Sequence, residues 1–418
     1  MLISFRIKNF LSIKDELTFS MLAEKKTNHP GSIATSGKEK IYTTGLITGA
    51  NASGKSALID GMISALLFLR HSSYMGPGAQ IPRIMPFKFD EITIKSSSFF
   101  EFTFTVKDVK YIYGFSADVF RVYSEYLYKY TSAKKSLIFE RTNTNEYNFP
   151  QHLRPTLNDL VPKNAENKLF LATASTWNFF EAIVPFKWLL ENVEIVQSFA
   201  PNPNYIIPND KETKDFVLGI LKAADLNIVD YTVERQTIKY NDAQSKNVQA
   251  LNENVGMPLF NESETFVNII TTYHKIKDDK GNEKILPLDL REESAGTQKM
   301  FYMALSLRSI LAGKTIIIDE IEKELHSHLV ELIIKIFNNE VTNPHRSQLI
   351  FTTHSRNLID DDIFDHSQIN LVEKNEIKGT TTLYKLSDFS IRNNLNIEKG
   401  YNNGRFGAVP FIKYPGLF

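Results

Sequence analysis

Apolar and polar positions alternate over "LISFRIK" at 2–8 and again over "ELTFSML" at 16–22, which predicts two short strands able to pair. The run "IYTTGLITGA" at 41–50 is β-rich and largely apolar, and it ends at glycine. From Ser56 the spacing becomes helical, "SALIDGMISALLFLR" to Arg70, so 41–70 reads as strand, glycine loop and helix. Between 98 and 130 aromatic and polar residues alternate with turn residues between them, the pattern of an antiparallel meander.

Residues 131–284 follow no single period. Helical spacing occupies 175–193 and 211–224, and 266–290 reads as a hairpin turning at Asp279-Lys280-Gly281-Asn282. Then come a helix at 297–312, the strand "KTIIIDE" at 314–320, a helix near 325–339 and the strand "SQLIFTTH" at 347–354. Strands alternating with helices predict an α/β fold with a doubly wound, mainly parallel sheet. The expected organisation is one domain in two halves, 1–130 and 285–418, around an insertion at 131–284 that is mixed helical with a terminal hairpin.

Composition narrows the setting without changing this picture. A 418-residue chain with 42% hydrophobic and 23% charged residues is an ordinary globular protein of more than one compact unit. Lys+Arg and Asp+Glu both count 48, so no global basic field favours nucleic acid, and with no cysteine there are no disulfides or thiolate metal sites. Charges break every apolar run of the N-terminal segment, which reads as neither signal peptide nor anchor; a cytoplasmic protein that does not span a membrane is expected.

"GANASGKS" at 49–56 fits G-x-x-x-x-G-K-S/T in full. Gly49 and Gly54 let backbone N–H groups converge on phosphate oxygens, and Ala50, Asn51, Ala52 and Ser53 form the cradle between them. Lys55 supplies a cation to the β and γ phosphates, the Ser56 hydroxyl suits Mg²⁺, and the helix beginning through Ala57 turns its positive end to the anion. "TIIIDE" at 315–320 ends in carboxylates at the C-terminal end of a strand, where α/β folds bind ligands. Asp319 suits the Mg²⁺ shell and Glu320 can orient and deprotonate water. His354, ending the apolar strand "LIFTTH", is expected to sense the γ-phosphate of ATP. His326 and His328 are separated by two and point apart on a helix, so they are not expected to share a metal.

"REESAGTQKM" at 291–300 opens a helix with small hydrogen-bonding residues behind two acids, and as a capping box it is imperfect, since Thr297 stands three after Ser294. Taken with "IKNF" at 7–10, "GANASGKS", "TIIIDE" and "TTH", the stretch "SAGTQ" resembles the ABC-type ATPases of the SMC-like class. That resemblance implies a signature helix, with Ser294, Gly296 and Gln298 acting on ATP held by a facing subunit in a homodimer or larger assembly. Over nearly its full length the chain is similar to the AAA/ABC-type ATPases of bacterial abortive-infection and restriction-linked loci, the AbiLi and RloA groups and the ATPase of the PARIS system. The shared segments include "SFRIKNFLSIKD", "MPFKFD" at 85–90, "YIYGF" at 111–115, "SEYLY" at 124–128 and "EKGYNNGRFGAVPFI" at 398–412. This resemblance implies an anti-phage switch that controls a separately encoded toxic effector, nuclease or Toprim-like, in response to a phage-derived trigger.

The sequence departs from these relatives at Ser327, where a proline is usual, and Gln80 is a weak counterpart of the Mg²⁺-sensing glutamine. Two other readings compete. A self-contained nuclease of the overcoming-lysogenisation class needs a Toprim domain; "DDD" at 360–362 invites it, but about forty residues follow the last expected core strand. A DNA-repair or DNA-organising ATPase needs a basic track, for which "KYTSAKKSLIFER" at 129–141 is the best stretch; DNA binding is left open.

Overall fold

The computed structural model describes residues 1–24, 27–130, 134–196, 210–224, 226–255, 264–277, 280–325, 327–391 and 397–408. The first strands are β1 (Leu2–Lys8), β2 (Leu17–Ser20), β3 (Ile33–Ser36), β4 (Glu39–Tyr42) and β5 (Thr44–Gly49). After helices α1 (Lys55–Ser72) and α2 (Glu91–Ile94) come β6 (Ser98–Val106), β7 (Val109–Ala117), β8 (Val122–Tyr130), β9 (Lys135–Thr142) and β10 (Glu146–Asn148). Next are α3 (Arg154–Asn158), α4 (Phe170–Thr176), α5 (Phe180–Lys187), β11 (Val193–Val196), α6 (Lys211–Ala223), β12 (Ile228–Lys239), α7 (Asp242–Val255), β13 (Glu264–Lys277) and β14 (Glu283–Asp289). The chain continues through α8 (Ala295–Ile310), β15 (Thr315–Ile318), α9 (Ser327–Phe337), β16 (Gln348–Thr353), β17 (Ile369–Lys374), β18 (Thr381–Lys385) and α10 (Ile397–Asn402).

Two compact units form, one from 1–197 with 313–418 and one from 198–312. These divisions differ from the expected ones at 130/131 and 284/285, for reasons of pairing. β9 and β10 extend the meander, β11 adds to the parallel sheet beside β15, and the α8 segment belongs to the second unit. The run at 41–50 also divides, with β4 pairing to β3 and only β5 entering the parallel sheet.

The first unit holds a seven-stranded antiparallel sheet, β10-β9-β8-β7-β6-β1-β2, and a six-stranded sheet, β11-β15-β16-β5-β17-β18, parallel except for β18. The strands of the parallel sheet are short and apolar because both faces are covered; all six residues of β5 and all six of β16 are buried. In α1, 13 of 18 residues are buried, as expected for a helix apolar on nearly every side. It shares one core with Phe5 and Ile7 of β1, Phe100, Phe102 and Phe104 of β6, and Ile47, Ile317 and Ile350 of the parallel sheet. Burying each such side chain contributes about 1.5–3 kcal/mol.

Gln348 ties the two sheets together. Its buried amide donates to the carbonyls of Leu2 (2.9 Å) and Tyr42 (3.1 Å) and accepts from Leu2 N–H (2.6 Å) and the Thr315 hydroxyl (2.9 Å). With each of those groups satisfied, the site costs little to bury and fixes the register between layers.

The second unit has the antiparallel sheet β12-β13-β14 and the helices α6, α7 and α8. β13 and β14 form the expected hairpin, Lys277 opposite Glu283, with Gly281 at φ +80°; Asp279 of the expected turn lies outside the described residues. Tyr231 of β12 packs edge-on against Phe301 of α8 at 4.9 Å, and Arg308 pairs with Glu212 at 2.6 Å.

Candidate functional site

β5 delivers the phosphate loop at the C-terminal edge of the parallel sheet, between β16 and β17. Gly49 has no room for a side chain: a Cβ there would stand 2.2 Å from the Val372 carbonyl. Gly54 caps α1 at φ +107°, a conformation that favours glycine. Behind the loop, the Thr381 hydroxyl donates to the Ser53 carbonyl at 3.0 Å and lies 2.8 Å from the Ser12 hydroxyl.

The resulting cleft, about 700 Å³, is lined by Asn51, Ala52, Ser53, Gly54, Lys55 and Ser56 from the loop, with Glu320, His354 and Lys374. Lys55 is buried and its ammonium donates to the carbonyls of Gly49 (2.8 Å) and Ala50 (3.0 Å). Burial pulls its pKa down, against the raising effect of Asp319, Glu320 and Glu322. Lys55 Nζ also lies 3.3 Å from His354 Nδ1, and His354 Nε2 lies 3.4 Å from Glu320 Oε1. That geometry assigns Nδ1 as acceptor and Nε2–H as the group facing Glu320.

β15 ends at Ile318, and the turn after it aims the carboxylates. Glu320 takes φ +53°, unusual for a residue with a Cβ, and its N–H donates to the Thr352 hydroxyl at 2.7 Å. The same hydroxyl donates to Asp319 Oδ1 at 2.5 Å. A single threonine on β16 therefore holds both carboxylate residues. Glu322 accepts the His354 backbone N–H. Burial, with the nearby Asp319 charge, raises the pKa of Asp60, one helical turn beyond Ser56, while Arg83 opposes the rise. Asp319, in the turn after β15, lies at the same C-terminal edge of the parallel sheet as the phosphate loop.

The donor set near that turn, the exposed Ser56 hydroxyl and the Asp319 carboxylate, consists of hard oxygens suited to Mg²⁺, which commonly takes only one or two protein ligands beside substrate phosphate. Among the described residues no group of three or more His, Asp or Glu could hold a metal ion. His328 lies 3.9 Å from Glu331, and His326 lies outside the described residues. Ala57 is buried in the first turn of α1 and does not line the cleft.

Ser294, Gly296 and Gln298 belong to the second unit. Ser294 caps α8, accepting from Thr297 N–H at 3.1 Å, so the helix begins at Ala295 rather than 297. Ser294, Ala295 and Gly296 are exposed, and a Cβ on Gly296 would meet only Ser294 Oγ at 3.8 Å. Gln298 is turned inward, donating to the Glu293 carbonyl at 2.8 Å. Glu293, one of the two acids before the helix, accepts from the Thr272 hydroxyl (2.7 Å) and lies 2.5 Å from His274 Nε2, so it anchors the turn.

Thr352, Glu322, Lys374 and Thr381 join the site without being expected from the sequence. Glu322 and Thr352 stand within two residues of Glu320 and His354 and could have been marked by proximity. Lys374 and Thr381 reach the loop only through the pairing of β17 with β5 and β18.

The phosphate loop, the paired acids one strand beyond its neighbour and the histidine after the strand between define a P-loop nucleotide-binding site of the AAA type. The chain belongs to the family described as "AAA domain, putative AbiEii toxin, Type IV TA system", whose model matches residues 46–360. Membership implies nucleotide binding, usually with Mg²⁺, and suggests ATPase activity. Among solved structures the chain is similar to the SMC head domain from Thermotoga maritima (12% identity, 92% of this chain and 98% of that one, TM-score 0.40). It is similar also to the Smc head domain from Pyrococcus furiosus bound to the C-terminal domain of ScpA (10%, 97% and 98%, 0.39). A third is cbiO1 from Clostridium perfringens, part of the ABC transporter complex cbiONQ (11%, 97% and 92%, 0.29). No curated protein matches. No helix among the described residues is long and apolar enough to cross a membrane.

Proposed function

We propose that the protein is an ATP-hydrolysing switch that closes two copies over shared ATP and thereby controls a separately encoded toxic effector during phage invasion. The observation that carries the hydrolytic part is the convergence of Lys55, Glu320 and His354 on one cleft. Lys55 binds the β and γ phosphates, giving up its bonds to the loop carbonyls for bonds to phosphate oxygens. Glu320 accepts a proton from the attacking water, and His354 donates to the γ-phosphate as charge builds there. Ser56 and Asp319 would hold Mg²⁺, which neutralises charge on the phosphates.

The exposed start of α8, with open space about Gly296, supports a role for Ser294 and Gly296 against the γ-phosphate of a second copy. Gln298 stiffens that turn from within. The toxin named in the family description and the resemblance to abortive-infection ATPases support the defence role.

A mixing experiment tests the shared site. Ser294→Arg should bind ATP but hydrolyse little, because its side chain fills the space for the γ-phosphate; Lys55→Ala should bind none. Mixed, the two inactive proteins can form one intact composite site per heterodimer and should regain part of the activity. If Ser294 only caps its helix, Ser294→Arg loses about 1 kcal/mol of stability and hydrolyses ATP unaided, which ends the shared-site reading.

A further inference from the structure

Lys374, the last residue of β17, has no role in the hydrolytic scheme, yet it lines the cleft with the phosphate loop. Its direction follows from register. Lys374 pairs with Thr381 across β17 and β18, and directly opposed residues of an antiparallel pair share a face. Thr381 on that face touches the loop, donating to the Ser53 carbonyl at 3.0 Å. The neighbouring Glu373 points the other way and accepts from the Tyr384 hydroxyl at 3.3 Å. Among the described residues the Lys374 ammonium has neither an acidic partner nor a hydrogen-bond acceptor, whereas Lys55 is surrounded by carbonyls and three nearby carboxylates. An unpaired cation beside a phosphate loop is a binding group for an anion.

Sheet order says which part of the anion. Glu320 and His354 follow β15 and β16, on one side of β5, and Lys374 ends β17 on the other. Neighbouring strands lie about 4.8 Å apart, so Lys374 is separated from the water-activating groups by the width of the loop strand. We infer that Lys374 binds the nucleotide at its α-phosphate end, as a second cation opposite in position to the γ-phosphate machinery. This rests on the proposal that the loop holds ATP with its γ-phosphate towards Glu320.

ADP and ATP share the α-phosphate, so both lose the contact equally. In the full-length protein, Lys374→Ala should weaken ADP and a non-hydrolysable ATP analogue by the same factor, about tenfold, with KM for ATP raised and kcat within about twofold of the parent. Lys374→Arg should restore most of the affinity. Unchanged affinity for both nucleotides would overturn the inference; so would weakening of the ATP analogue alone, which marks a γ-phosphate contact, or loss of kcat at unchanged KM. Lys55→Ala, measured alongside, separates the two levels. If Lys55→Ala binds nucleotide normally, the phosphate-loop reading itself fails; if it does not bind while Lys374→Ala binds normally, only the role of Lys374 falls.

Discussion

Glu125 and Arg141 form an ion pair at 3.8 Å with both side chains wholly buried. Glu125 also accepts from the N–H groups of Phe170 (2.6 Å) and Leu171 (2.9 Å) and from the Tyr113 hydroxyl (3.0 Å). It therefore supplies the start of α4 with the cap that Leu169 cannot provide. Arg141 in turn donates to the carbonyls of Lys168 (2.7 Å), Glu166 (3.2 Å) and Thr144. Burial raises the pKa of Glu125 while Arg141 and the three donors pull it back, so the pair gains little net energy from existing. Breaking it is another matter. Glu125→Leu leaves a buried guanidinium without a counter-charge and two helix N–H groups unpaired, a loss of about 4 kcal/mol. Arg141→Met leaves a buried carboxylate and should cost about 3 kcal/mol. The double variant removes both charges at once and should lose about 4 kcal/mol, not the sum of the singles. Urea unfolding followed by tryptophan fluorescence measures this in the right place, because the chain's two tryptophans, Trp177 and Trp188, both lie in the first unit. Single losses that add to within about 0.5 kcal/mol would refute the reasoning.

Glu320→Gln should bind ATP like the parent and hydrolyse it at least about a hundredfold more slowly; normal turnover in a phosphate-release assay removes Glu320 as the base. Burial pushes Tyr42 and Tyr231 up to about 12 and raises Tyr113, Tyr126 and Tyr384 as well. Each favours the neutral phenol in the fold, so this stability is complete below pH 10, where free phenols titrate, and is lost as pH rises towards 12. Phenolate absorbance and loss of native fluorescence should therefore rise together in an alkaline titration; full phenolate formation near pH 10 with native fluorescence retained would contradict it.

What could be read in advance was whatever a short stretch of chain encodes by itself. The loop at 49–56, the acids after β15 and the helical spacing of α1 are local, and the structure places the loop after β5, leading into α1, and the acids after β15, with β16 between the two strands. The segments "YIYGF" and "SEYLY" looked like family marks without a mechanism. Tyr113 and Glu125 now explain both, since they meet Arg141 and α4 in a buried polar knot. Nothing local announces that β11, which directly follows a helical stretch, will pair with β15, or that Thr381 will brace a loop more than three hundred positions earlier. Those facts belong to pairing between distant strands, which periodicity does not encode. The limits of the two units, after 197 and after 312, depend on the same distant pairing.

The position of β5 also governs when the molecule can come into being. Both its neighbours, β16 and β17, arrive from the ribosome roughly 300 residues after it. At about 5–20 residues per second, an apolar strand of six buried positions waits on the order of 15–60 s without its partners. The antiparallel meander, built from consecutive hairpins, has no such delay and can fold as it emerges. Assembly of the nucleotide pocket is thus postponed until β16 and β17 have been made, and a chain interrupted before residue 348 carries a phosphate loop without the neighbours of its strand.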